Sequence, residues 1–173
     1  GEKRTDLWRM MFTLLETLAH DKVVRVRQVL SDAFSHPADA PPEIVRVLAR
    51  DKDKKVAQPV LRDSPVLADL DIVSILDHGA PSWAQEAIAE REKISPAVAE
   101  ILARKGSVGA ITRLVENHGA EIDEPTMERI VKRAPKVKQW HEPLVKRPAL
   151  SENIILRLAR FVAAPLRAVL RKR

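Results

Sequence analysis

The sequence contains no cysteine and no tyrosine, and only three tryptophans and three phenylalanines. Without cysteine there is no disulfide framework, thiolate zinc site or iron–sulfur cluster. Scarce aromatics leave Leu, Val, Ile and Ala to do nearly all the packing, the palette of helices that approach closely. Glycine is sparse too, five in 173 residues, with no glycine-rich loop to cradle a phosphate. No stretch reaches the roughly 18 uninterrupted apolar residues of a membrane span. The polar opening Gly1-Glu2-Lys3-Arg4 leads into an amphipathic run without a secretory signal. No membrane span is therefore expected, and a cytoplasmic location is. Alternating apolar and polar runs of strand length are also missing.

What is abundant is charge and periodicity. The net charge of +6 is unevenly distributed: residues 1–128 sum to −5 and residues 129–173 to +11. Apolar anchors recur at Leu18, Leu48, Leu76, Leu102, Val131 and Leu158, at intervals of 26 to 30 residues. A second anchor follows each by 12 to 14 residues, at Leu30, Leu61, Ile88, Val115, Val145 and Leu170. Two helices and two short turns fill such a period. Within it, Leu14, Leu15, Leu18 and Ala19 share one helical face, as do Ile44, Val45, Leu48 and Ala49. Asp21, Asp53 and Ser107 read as caps opening second helices, and Ser95 and Ser151 as caps opening first helices. Pro96 stands in a favoured first-turn position. Gly79, Gly106 and Gly119 stand where helices should stop. Pro59, Pro143 and Pro165 fall in second-helix regions, which predicts short or kinked helices there.

These signals predict an all-α fold, a right-handed, HEAT-like α-solenoid of about six two-helix repeats with a period near 28 residues. The chain reads as a single domain, with repeats at roughly 5–38, 39–66, 67–94, 95–122, 123–150 and 151–173. The run Leu18-Ala19-His20-Asp21 with Val24, Val26-Arg27 and Val29-Leu30 resembles a HEAT-type repeat. That resemblance implies that Asp21 caps the second helix and that Arg27 joins a ladder between repeats. The second repeat keeps Asp51 but has Ala57 where the arginine would fall, and later repeats lose both. A longer run, Ile44-Val45-Arg46-Val47-Leu48-Ala49-Arg50-Asp51 and then Val56 to Pro65, goes with Ile88-Ala89-Glu90-Arg91 and the Leu-Ser connectors. It resembles an uncharacterised, mainly alphaproteobacterial family, domain of unknown function 2336, related to the leucine-rich repeat variant proteins. This resemblance implies a fold and no activity.

Little in the sequence points to catalysis. No two of His20, His36, His78, His118 and His141 are three or four residues apart, so none makes a helical metal-ligand pair. Asp51 and Asp53 flank a turn, where they cap, and Glu121, Asp123 and Glu124 favour a helix start. A non-enzymatic protein with no catalytic, metal or cofactor site is expected. Of the tryptophans, Trp8 reads as covering the N-terminal end of the core beside Met11 and Phe12. Trp83 and Trp140 fall early in second-helix regions, where packing and partner binding are both open.

Two binding surfaces are candidates. In HEAT-like folds second helices line the concave face, which here would carry Arg25, Gln28, Lys55, Gln58, Arg62, Trp83, Glu86, Arg113, Glu116, Gln139 and Trp140 for a protein partner. The alternative is nucleic-acid binding through phosphates along the basic end. That end carries Arg129, Lys132, Arg133, Lys136 and Lys138, and then Arg157, Arg160, Arg167 and Arg171, which form one stripe if a helix continues through Pro165.

Overall fold

The computed structural model describes residues 2–173. It is all-helical: twelve α-helices and two 3₁₀ turns, with no strand among the described residues. An isolated parallel bridge ties Ile94 to Ala120. Among the described residues, no helix is long and apolar enough to cross a membrane. The chain forms two compact units, the first running to Ile75 and the second from Leu76 to Arg173.

The first unit contains α1 (Glu2–Ala19), α2 (Val24–Phe34), α3 (Pro42–Ala49) and α4 (Lys54–Asp63), and α5 (Asp69–Asp77) carries the division between the units. Each of α1 and α2 packs on the next helix and on the next but one. Of the anchors, Leu30, Leu48 and Leu61 are buried, together with Ile44, Val45, Val56 and Val60, whereas Leu18 is half-buried. Asp53 caps α4 by accepting from the Lys55 N–H. Asp21 acts one step earlier than expected. Its carboxylate accepts from Val23 N–H at 2.8 Å, and Val23 itself takes the cap position of α2. α4 runs through Pro59 for ten residues, so this proline neither shortens nor ends its helix. Trp8 and Met11 are exposed, because no other element of the unit reaches that side of α1. The expectation that Trp8 covers the core end is thereby corrected.

The second unit continues with α6 (Ser82–Ala89), α7 (Pro96–Lys105), α8 (Val108–Glu116) and α9 (Glu124–Arg133). After 3₁₀ turns at Ala134–Lys136 and Lys138–Trp140 come α10 (His141–Lys146), α11 (Glu152–Ala159) and α12 (Ala164–Arg171). Again each helix packs on the next or the next but one: α6 on α8, α7 on α9, α8 on α10, α9 on α11 and α10 on α12. Ser95, Ser107, Asp123 and Ser151 accept backbone N–H bonds at the starts of α7, α8, α9 and α11. Gly79, at φ +86°, makes the turn out of α5 in a conformation that a side chain would strain. Pro143 belongs to a helix of only six residues, and Pro165 stands in the first turn of α12. The helix is interrupted between Ala159 and Ala164, so Arg157 and Arg160 fall on and at the end of α11 and Arg167 and Arg171 on α12, and they form no single helical stripe.

Candidate protein-binding and basic surfaces

In the first unit, Arg25 and Gln28 lie on α2 and Lys55, Gln58 and Arg62 on α4, two helices that pack together. Arg25 and Lys55 are exposed and the other three half-buried. Arg25 Nη1 donates to Gln28 Oε1 at 3.4 Å, and Arg62 donates twice to its neighbour Asp63, at 3.0 and 2.9 Å. Arg27 gives this unit its strongest ion pair. Its Nε donates to Asp51 Oδ2 at 2.6 Å and its Nη2 to Oδ1 at 3.2 Å, while Nη1 donates to the Asp21 carbonyl at 2.7 Å. Asp51 also accepts from Asp53 N–H at 2.9 Å. Burial alone would raise the Asp51 pKa, but hydrogen bonds from Arg27 and the Asp53 backbone hold it below the ordinary aspartate value. Both side chains are mostly buried, so the pair fixes α2 against the α3–α4 turn and is little available to a partner.

In the second unit, Trp83 and Glu86 on α6 and Arg113 and Glu116 on α8 stand on helices in direct contact. Arg113 joins them, with Nη1 2.7 Å from Glu90 and Nε 3.7 Å from Glu86. Gly109 lies beneath the Glu86 carboxylate, which a Cβ there would push aside, meeting Oε1 at 2.6 Å. Gln139 continues the face, donating to Thr112 Oγ1 at 3.3 Å. Next to it, a cleft of about 390 Å³ is lined by Glu116, His118, Lys138, Gln139, Glu142 and Lys146. It brings together Glu116 and Gln139, read as protein-binding, with Lys138, read as part of the basic end. Trp83 is half-buried.

Trp140 does not belong to this face. Its ring is fully buried, its indole N–H donates to Thr112 Oγ1 at 2.9 Å, and the Arg133 guanidinium lies 5.4 Å from the ring centroid. The 3₁₀ turn before α10 rotates the indole into the core, where Thr112 satisfies its single polar group. Trp140 is a packing residue and leaves the set of partner-binding candidates.

At the basic end, Arg129, Lys132, Arg133, Lys136 and Lys138 are all exposed along α9 and the 3₁₀ turns. Among the described residues, none of the five forms an ion pair. The same holds for Arg157, Arg160, Arg167 and Arg171, of which Arg157 is half-buried. The acidic groups of residues 129–173 are only Glu142 and Glu152, and Glu142 is taken by Lys146.

Two polar residues that matter to the fold escaped the sequence reading. Arg147 is buried and donates to the carbonyls of Leu114 (3.4 Å), Val115 (3.1 Å), Asn117 (2.9 Å) and Ala120 (2.7 Å). One helix pair earlier, Asn117 Nδ2 donates to the carbonyls of Ala89 at 2.9 Å and Arg91 at 2.7 Å. Both stand two residues after a second-helix anchor, Val145 and Val115, and that shared register is the signal that could have singled them out. Among the described residues, no group of three or more His, Asp or Glu side chains is placed to hold a metal ion.

Comparison with curated proteins and with solved structures finds no match. Residues 56–173, more than half of the chain, match the family described as uncharacterised protein conserved in bacteria (DUF2336), and the protein belongs to that family.

Proposed function

We propose that the protein is a non-enzymatic binding scaffold, a HEAT-like right-handed α-solenoid of about six two-helix repeats whose second helices offer a concave face to a protein partner. The observation that carries this reading is the Arg113 cluster. Side chains from α6 and α8 meet on one side of the second unit and continue through Gln139 to the cleft beside α10. Repeat folds bind in this way, each helix pair adding a few contacts to an extended surface. The experiment is affinity capture from bacterial lysate by the immobilised protein. A Arg62→Glu/Arg113→Glu variant should lose the captured partner, whereas reversal of Arg104 on α7, a first helix, should retain it. Equal capture by both variants would remove this face from the proposal.

A second reading, phosphate-backbone binding by the basic end, is favoured by one observation: the five cations of residues 129–138 are exposed and unneutralised. A polyanion would supply the missing counter-charge.

A further inference from the structure

We propose that α1 is a self-association helix that pairs antiparallel with α1 of a second copy of this chain, across Leu7, Met10, Met11 and Leu14. Four residues before each first-helix anchor stands an apolar side chain: Leu14, Ile44, Ile72, Val98, Met127 and Ile154. The last five are at most 6% exposed, and Leu14 is 58% exposed. The same stripe continues toward the N-terminus through Met11 at 42%, Met10 at 70% and Leu7 at 66%, with Trp8 beside it at 58%. α1 has 18 residues, whereas the other first helices have 8 to 10. Most of this stripe therefore lies on turns of helix that the rest of its unit does not cover.

The pattern and the area both fit a second copy. Positions 7, 10, 11 and 14 follow the a, d, e, a spacing of a helix that packs lengthwise against another helix. Five large apolar side chains at this exposure make a patch of several hundred Å², at or above the largest found on typical monomers. Two such helices would bury several hundred Å² per partner, at the lower end of standard interfaces. A two-fold axis between Met10 and Met11 sets Leu7 of one copy opposite Leu14 of the other, so the stripe is complementary to itself.

Charge selects the direction. Residues 2–9 carry Lys3, Arg4 and Arg9 against Glu2 and Asp6, while residues 10–21 carry Glu16 and Asp21 and no Lys or Arg. Antiparallel pairing brings the basic end of each helix to the acidic end of the other, and parallel pairing would bring like ends together.

The test is sedimentation equilibrium of the whole chain from about 1 to 100 µM. The wild type should reach twice its 19.4 kDa. Leu7→Glu/Leu14→Glu should weaken self-association by at least a hundredfold with unchanged helical circular dichroism, since both side chains already face solvent in the single chain. The absence of native cysteine permits a direct reading of orientation. Leu7→Cys and Leu14→Cys should each oxidise poorly alone and form a linked heterodimer when mixed. A monomer at every concentration, a dimer indifferent to the double glutamate variant, or disulfides formed by each variant only with itself would overturn the proposal.

Discussion

The guanidinium of Arg147 ends among four carbonyls around and beyond the C-terminal end of α8, and no carboxylate among the described residues pairs with it. The last carbonyls of a helix have no partner within it, and they carry the negative end of its dipole. A planar fork of N–H donors is well suited to gather several of them at once. Burial pulls the Arg147 pKa down from the ordinary arginine value, yet arginine stays charged at any working pH. Removing the side chain strands several buried acceptors, so Arg147→Ala should destabilise the protein by about 3 kcal/mol. Arg147→Lys should recover only part of this, because an ammonium has three donors and no fork. Urea denaturation of the three proteins measures both differences. A midpoint unchanged in Arg147→Ala would mean that water replaces the guanidinium without cost.

Between elements, the same device recurs in the second unit. Asn117 reaches the carbonyls at the end of α6, Arg147 those around the end of α8, and Arg173 the carbonyl of Arg147 itself. In the first unit the corresponding link is ionic, from Arg27 to Asp51. The Asp51 pKa is depressed on folding, so the stabilisation it gives is present above the unfolded aspartate value near 4 and is lost as pH falls through the lower folded value. Asp51→Asn should therefore lower Tm by a few degrees at pH 7, and the gap to wild type should close below about pH 4. A gap of constant size down to pH 2 would show that the carboxylate charge is not what holds α2. The helices themselves were legible in the sequence, because Leu48, Leu102 or Val115 each announce a buried face by spacing, and Ser95 or Asp53 a helix start by chemistry. The links between helix pairs were not. Arg147 and Asn117 bond to backbone carbonyls, which carry no residue identity, and Trp140 finds Thr112 only once α8 and α10 have packed. Of the candidate site, the exposed positions Arg25, Lys55, Arg113 and Gln139 were readable from helical phase. The 3₁₀ turn that buries Trp140 was not.

At the scale of the whole molecule the dominant feature is the split of charge, −5 over residues 1–128 and +11 over residues 129–173. In the acidic part many charges are used internally, as in Arg27–Asp51, Arg46–Asp71, Lys105–Asp77 and Arg113–Glu90. In the basic part most are not. If phosphates are the natural counter-charge, duplex and single-stranded oligonucleotides should bind with an affinity that falls steeply with salt, and fluorescence anisotropy across a salt series measures it. Reversal of Lys132, Arg133, Lys136 and Lys138 to Glu should abolish binding at every salt concentration. No binding at low salt would end the nucleic-acid reading and leave the protein-partner one in place. The buried Trp140 has a separate consequence. The three indoles occupy three different settings: Trp8 exposed on α1 of the single chain, Trp83 half-buried and Trp140 in an aliphatic interior beneath a guanidinium. The blue-shifted component of the emission, from Trp140, thus reports the integrity of the α9–α10 region without any label attached.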